Sequence, residues 1–276
     1  MTPARPAAPA SRALASLYAR GAERPLLTAL WALEEEIGAS LKPGLDHQVA
    51  HTRLAWWREE CLRCAARKPA HPLTRAIAGL FAGRDSAPLA GLPGLVDVAQ
   101  WDLAAATFGT RRELTAYCER WAGGLVVPLA LFAAPQLGAG AARALGAALR
   151  EGELLAGLAP DAHSGRLRLP LDELAAAGVD PREFPAAPWA APLAALIAAR
   201  HRQLRAALAQ SVAAVPPTAQ RPLRPVLVWA ALVHLASQRA ERRLPEAPAA
   251  SDHQAPLDGW RAWRAARRAD AGTLTL

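Results

Sequence analysis

Between its proline and glycine clusters this chain repeats its apolar residues at helical spacing almost everywhere, which leaves little room for any fold but a bundle of α-helices. The spacing predicts helices over residues 11–20, 25–39, 45–67, 71–82, 96–106, 111–133, 139–156, 188–211, 221–243 and 258–269. Breaks fall at Lys42-Pro43-Gly44, from Gly83 to Gly94, at Pro135, from Pro160 to Pro188 and at Val215-Pro216-Pro217. Alanine, leucine and arginine dominate and β-branched residues are scarce, so intrinsic propensity agrees with the pattern and no strand is expected. None of the breaks reads as a domain linker, and no internal repeat is evident. The expected organisation is a flexible tail over 1–10, one large helical domain over 11–243, and a loop and C-terminal helix over 244–276 packed on the same domain.

Charge and cysteine content narrow the function classes. The formal charge of +8 comes from arginine, because Lys42 and Lys68 are the only lysines. Such a surface attracts diphosphates, nucleic acid or anionic lipid without choosing among them. The densest basic group is WRAWRAARR at 260–268, and no basic run interleaved with exposed aromatics is expected, which disfavours nucleic acid as a partner. Three cysteines argue against a disulfide framework and for a reducing compartment, the cytoplasm by default. Residues 1–24 lack the continuous apolar segment of a secretory signal. The uncharged stretch from Trp121 to Ala142 is interrupted by Pro128, Pro135 and four glycines, so it reads as a buried helix and its exit loop rather than a membrane span. Peripheral contact with the inner face of a membrane stays open.

The most specific segment is DVAQWDLAAATFGTRRELTAYCERWAGGL at 97–125. It places Asp97 and Asp102 on one helix, Phe108 and Thr110 in the following turn, and then Glu113-Leu114, Tyr117-Cys118 and Ala122-Gly123. RLAWWREE at 53–60 and HPLT at 71–74 precede it; GRLRLP at 165–170 and LDEL at 171–174 follow it. In this order the segments resemble the squalene/phytoene synthases over roughly 14–240. The resemblance implies the all-α isoprenoid-synthase fold, a single large helical bundle around a central apolar cavity. It also implies head-to-head coupling of prenyl diphosphates, with magnesium held by two facing pairs of acids.

Two acids at i and i+4 share a helical face and can reach one ion cluster, which is why such chemistry uses Asp-x-x-x-Asp spacing. No two of the 24 acids of this chain are four positions apart. At the first motif's position the resemblance aligns Gly38, Ala39 and Lys42 with the family's aspartates; the adjacent Glu34, Glu35 and Glu36 fan around a helical turn instead. At the second, Glu153 stands at an Asn position, Gly157 at an Asp position, and Asp161 is kept. No cofactor is therefore expected, with magnesium only if the chain is catalytic. A displaced metal site would draw on Glu35, Glu36, Asp97, Asp102, Glu153 and Asp161. The plainer reading pairs these acids with arginines: Glu153 with Arg150, and Asp97 or Asp102 with Arg53 or Arg58.

A diphosphate could be held without metal by bidentate guanidinium contacts, with Arg24, Arg53, Arg58, Arg111, Arg112 and Arg166 as candidates. Trp31, Trp57 and Trp101, beside the motif positions, are candidate pocket-lining residues with Phe108 and Tyr117; tryptophan in a helical chain poor in Phe and Tyr otherwise fills core. His47 and His51 have the spacing of a helical zinc pair, but on one helix Cys61 and Cys64 lie about 15–20 Å away, too far to share an ion. The function this points to is a diverged, non-catalytic squalene/phytoene-synthase-like protein that binds a prenyl lipid or prenyl diphosphate or acts as a protein-assembly partner. Acid-poor members of the superfamily include assembly factors of respiratory complex I, which the chain resembles more loosely. The alternative is an active prenyltransferase of isoprenoid, carotenoid or hopanoid synthesis with a rearranged magnesium site.

Overall fold

A computed structural model describes residues 10–42, 44–183, 188–246 and 257–276, which form thirteen α-helices and no strand. In chain order they are α1 (Ala10–Ser16), α2 (Glu23–Gly38), α3 (His47–Ala65), α4 (Pro72–Leu80), α5 (Pro93–Leu103), α6 (Arg111–Ala133) and α7 (Ala139–Ala156). There follow α8 (Leu158–His163), α9 (Leu171–Ala176), α10 (Ala191–Ala213), α11 (Pro217–Gln220), α12 (Arg224–Arg243) and α13 (Asp258–Asp270). Each of the ten helices expected from apolar spacing is present. The short α9 falls inside a stretch read as a break, and α8 and α11 overlap the edges of two such stretches without having been expected as helices. Most of the expected N-terminal tail, and residues 247–256 of the expected loop, lie outside the described residues.

The centre of the bundle is α6. Every residue from Trp121 to Ala130 is buried, so this stretch is core helix as its proline and glycine content suggests, and no described helix is long and apolar enough to cross a membrane. It packs along α7 and against α5, and α7 in turn meets α10 and α12. Small residues allow this closeness. A Cβ on Gly146 of α7 would stand 2.7 Å from the Ala122 Cβ, and one on Gly91 would stand 2.2 Å from the Gly123 carbonyl oxygen.

Local hydrogen bonding accounts for the motif segments. Asp46 caps α3 by accepting from the Gln48 and Val49 amides, and the Thr110 hydroxyl caps α6 by accepting from the Glu113 amide. Glu60, fully buried near the end of α3, accepts from the Ala70 and His71 amides at 2.8 Å each and from the Thr74 hydroxyl. Burial alone would raise its pKa, but these donors and Arg63 hold it down at about 2, so the carboxylate latches α3 to the start of α4. The segment after α8 docks on the start of α6, where the Leu171 and Asp172 amides donate to the Phe108 and Gly109 carbonyls at 2.9 and 3.1 Å.

Two tryptophan readings are corrected. Trp56 of RLAWWREE, which as a tryptophan in a chain poor in Phe and Tyr is expected to fill core, is 44% exposed on α3, and the run 260–268 does interleave exposed aromatics with arginine, Trp260 and Trp263 each being 52% exposed. In α13 the buried stripe is Ala262, Ala265, Ala266 and Ala269, whose small side chains let the helix lie close on α12 and leave the indoles outside.

Candidate functional site

The two motif helices, α2 and α7, are joined by a residue from neither of them. Arg12, on α1 and only 4% exposed, sits between Glu34 of α2 and Glu153 of α7. Its Nη1 donates to Glu34 Oε2 at 2.5 Å, its Nη2 to Glu153 Oε2 at 2.6 Å, and its Nε also to Glu153. The guanidinium carbon lies 5.0 Å from the ring centroids of both Trp121 and Trp229. Trp121 Nε1 completes the arrangement by donating to Glu34 Oε1 at 2.8 Å. Burial alone would raise the Glu34 pKa, yet the Arg12 charge and hydrogen bonds hold it down at about 2. Arg12 is itself pushed above its ordinary value: burial opposes its charge, and the two carboxylates more than offset that.

The network continues into the bundle. Arg150 of α7, buried, pairs with Glu153 at 3.0 Å and donates to the Tyr117 hydroxyl at 2.9 Å. That hydroxyl donates to the Asp102 carboxylate at 3.1 Å, and burial pushes its pKa up to about 12. Asp102 is also held by Arg168 Nη1 at 2.7 Å, and Arg168 Nε reaches Asp161 at 3.0 Å. On the other side of α7, Arg111 grips Glu151 with two bonds of 2.8 and 3.1 Å, and Arg200 bridges Glu151 and Glu173. Six carboxylates are thus engaged by five guanidiniums near the motif positions.

Beside this network lies a cleft of about 10 Å³, room for about one water. Pockets that hold small-molecule ligands run to roughly 300–1,000 Å³. Its lining is mostly apolar, with Leu95, Val98 and Trp121 among the apolar residues, and the charged Glu34, Asp102 and Arg150 also face it.

The metal candidates separate. Glu35 and Glu36 are exposed on α2, and Asp97 pairs with Arg58 on α3. Asp102, Glu153 and Asp161 belong to the network, each engaged by arginine. Among the described residues no group of three His, Cys, Asp or Glu is placed to hold a metal ion. Magnesium needs carboxylate oxygens that the protein leaves free. Here a guanidinium stands between the carboxylates of each facing pair, and Gly38, Ala39, Lys42 and Gly157 carry no carboxylate, so the residues present do not fit the ion. His47 and His51 face each other on exposed turns with ring nitrogens 3.0 Å apart, whereas Cys61 and Cys64 are buried and burial pushes both thiols up to about 12.

The arginine candidates are distributed over several elements. Arg24 and Arg112 are exposed, Arg53 and Arg166 half-buried, Arg58 is paired with Asp97 and Arg111 with Glu151. The aromatic candidates form a layer next to the cleft: Trp101 stacks on Phe108 with centroids 5.3 Å apart, and Phe108 meets Tyr117 edge-on at 5.2 Å. Trp31 is half-buried, and Trp57 is buried against His71 at 4.9 Å. The cleft itself is lined by Trp121 instead. Sequence reasoning pairs Glu153 with Arg150, as observed, and leaves Asp97 or Asp102 to Arg53 or Arg58; Asp97 takes Arg58, whereas Asp102 is held by Arg168, and Arg12, Arg168 and Arg200, whose partners lie far away in the chain, are missed.

The sequence profile of the squalene/phytoene synthase family matches residues 6–261. Among solved structures, a dehydrosqualene synthase crystallised in complex with ligand superposes with a TM-score of 0.76 at 17% identity, covering 94% of this chain and 90% of its own. The squalene synthase HpnC from Alicyclobacillus acidocaldarius gives a TM-score of 0.68 at 18% identity, covering 84% of this chain and 88% of its own. At these identities the likeness establishes the fold. A search among curated proteins finds no match.

Proposed function

The chain belongs to the squalene/phytoene synthase family, and we propose that it is a non-catalytic member, a folded partner in protein assembly rather than a prenyl-coupling enzyme. The observation that carries this reading is Arg12, whose guanidinium bonds Glu34 and Glu153 where the two motif helices face each other. A departing diphosphate requires concentrated positive charge that the protein leaves available to it. In this chain the positive charge at the centre is spread over arginines that are already satisfied by carboxylates, and the remaining space is about 10 Å³. The cleft beside this network is too small to admit a prenyl chain. The loose likeness to acid-poor assembly factors of respiratory complex I fits the same reading, because an assembly partner keeps the shape of the bundle and has no need of its chamber.

A coupled assay with farnesyl and geranylgeranyl diphosphate plus magnesium tests the proposal. It predicts no release of inorganic diphosphate and no hydrocarbon product above the level of a heat-inactivated control. Turnover that disappears on Asp161→Ala would refute it and establish a rearranged catalytic site.

A further inference from the structure

We infer that the outer face of α13 is a docking surface for anionic phospholipid membrane. At 3.6 residues per turn, Trp260, Trp263, Arg264 and Arg267 fall within about 100° of arc, opposite the alanine stripe that lies on α12. Three of the exposed large apolar side chains of the described residues lie at the start of this one helix, Leu257 just before it and Trp260 and Trp263 in its first two turns, with exposures of 57, 52 and 52%. The exposed arginines that follow them, Arg264, Arg267 and Arg268, are available. Both acids of α13 are engaged by other residues, Asp258 by Arg239 and Arg261, and Asp270 by Arg224. Among the described residues no carboxylate pairs with Arg264, Arg267 or Arg268; Arg264 instead lies 4.6 Å over the Trp260 ring.

Indole and guanidinium side by side match a phospholipid interface. Tryptophan settles at headgroup depth with its apolar body toward the acyl chains, and guanidinium binds phosphate in a bidentate manner. A strand of nucleic acid would need a groove that tracks its backbone, and a single outward-facing helix face offers none. No described helix is long and apolar enough to cross a bilayer, and contact through this face, resting on arginine charge, is salt-sensitive. The inference goes beyond the proposed function and stands or falls separately from it.

Co-sedimentation of the full chain with vesicles tests it. The wild type is expected to bind vesicles of phosphatidylglycerol and phosphatidylcholine, and to bind pure phosphatidylcholine far more weakly. Trp260→Ala/Trp263→Ala should lower partitioning to the anionic vesicles at least about tenfold. Arg264→Gln/Arg267→Gln/Arg268→Gln should lower it roughly a hundredfold and remove the dependence on anionic lipid. Circular dichroism melts of both variants should overlay the wild type, because these side chains are exposed. Absence of binding to anionic vesicles, or variants that bind like the wild type, would overturn the inference. So would the same substitutions abolishing binding to a single-stranded oligonucleotide while the vesicles go unbound.

Discussion

Replacing Arg12 by methionine keeps most of the apolar stem and removes the charge that joins α1, α2 and α7. Glu153 retains Arg150 at 3.0 Å, but Glu34 is left with the Trp121 indole as its hydrogen-bond donor. The Arg12, Glu34 and Glu153 side chains are 5, 12 and 7% exposed, so solvent does little to compensate. Removing one partner of a buried pair costs about 3–5 kcal/mol, and in a domain of this size each kcal/mol lowers Tm by roughly 2–4 °C. A fall of about 10 °C is therefore expected, read by urea and thermal melts followed by circular dichroism. The pH dependence makes the test specific. In the wild type the folded-state pKa of Glu34 is depressed to about 2, so its contribution is complete above the ordinary carboxylate pKa and fades as pH falls towards 2. Without Arg12 the burial of Glu34 favours its neutral form, so the deficit of the variant should shrink as pH falls from 7 to 4. Glu34→Gln placed on the Arg12→Met background should recover most of the loss at pH 7, whereas Glu153→Gln should not, because it also strips the buried Arg150 of its carboxylate partner. A cost below about 1 kcal/mol, or a deficit unchanged between pH 7 and 4, would refute the claim that a buried ion pair closes the centre.

Three further outcomes follow from individual contacts. Glu60→Gln loses the charge that four donors share, and should cost about 1–3 kcal/mol in a urea melt while leaving the acid limb of the stability curve flatter; an unchanged midpoint would count against the α3–α4 latch. His201 is 3% exposed, donates to or accepts from Ser237 at 3.0 Å, and is held down to about 4 by burial and by Arg205, against the opposing pull of Glu241. Stability should therefore be full above about pH 6.5 and fall by about 3 kcal/mol as pH drops to 4; His201→Gln should remove that slope, and a slope that persists would assign it elsewhere. Gly91→Ala would force a methyl group to 2.2 Å from the Gly123 carbonyl oxygen, and should cost about 1–3 kcal/mol by calorimetry; a wild-type Tm would show that the two segments can part freely.

The long helices could be read from the chain because three or more turns of apolar spacing outweigh any local ambiguity, and 111–133 and 139–156 are found with the same bounds. Helices α8, α9 and α11, of four to six residues, offer too few turns for periodicity, and α11 begins between prolines that read as a break. The absence of acids at Gly38, Ala39 and Gly157 is visible from residue identity alone. What replaces them is not, since Arg12 reaches Glu153 across 141 positions and nothing in ASRALAS marks that arginine as buried. Glu34 is one of three consecutive glutamates, and only packing distinguishes it from the exposed Glu35 and Glu36. The α13 tryptophans mislead for a related reason: large apolar residues usually mark the buried face, but here alanine occupies it because the close fit to α12 leaves no space for an indole.

The central claim is that guanidinium groups, and Arg12 above all, engage the carboxylates between the two motif helices and leave no place there for magnesium or a diphosphate. A crystal structure of the protein grown with magnesium and farnesyl thiolodiphosphate, a substrate mimic that resists ionisation, tests it most directly. The account predicts the Arg12 guanidinium between Glu34 and Glu153, with neither metal nor diphosphate at the centre of the bundle. Magnesium bound to Glu153 or Asp161, with Arg12 displaced and a prenyl chain along the apolar Leu95, Val98 and Trp121, would contradict it.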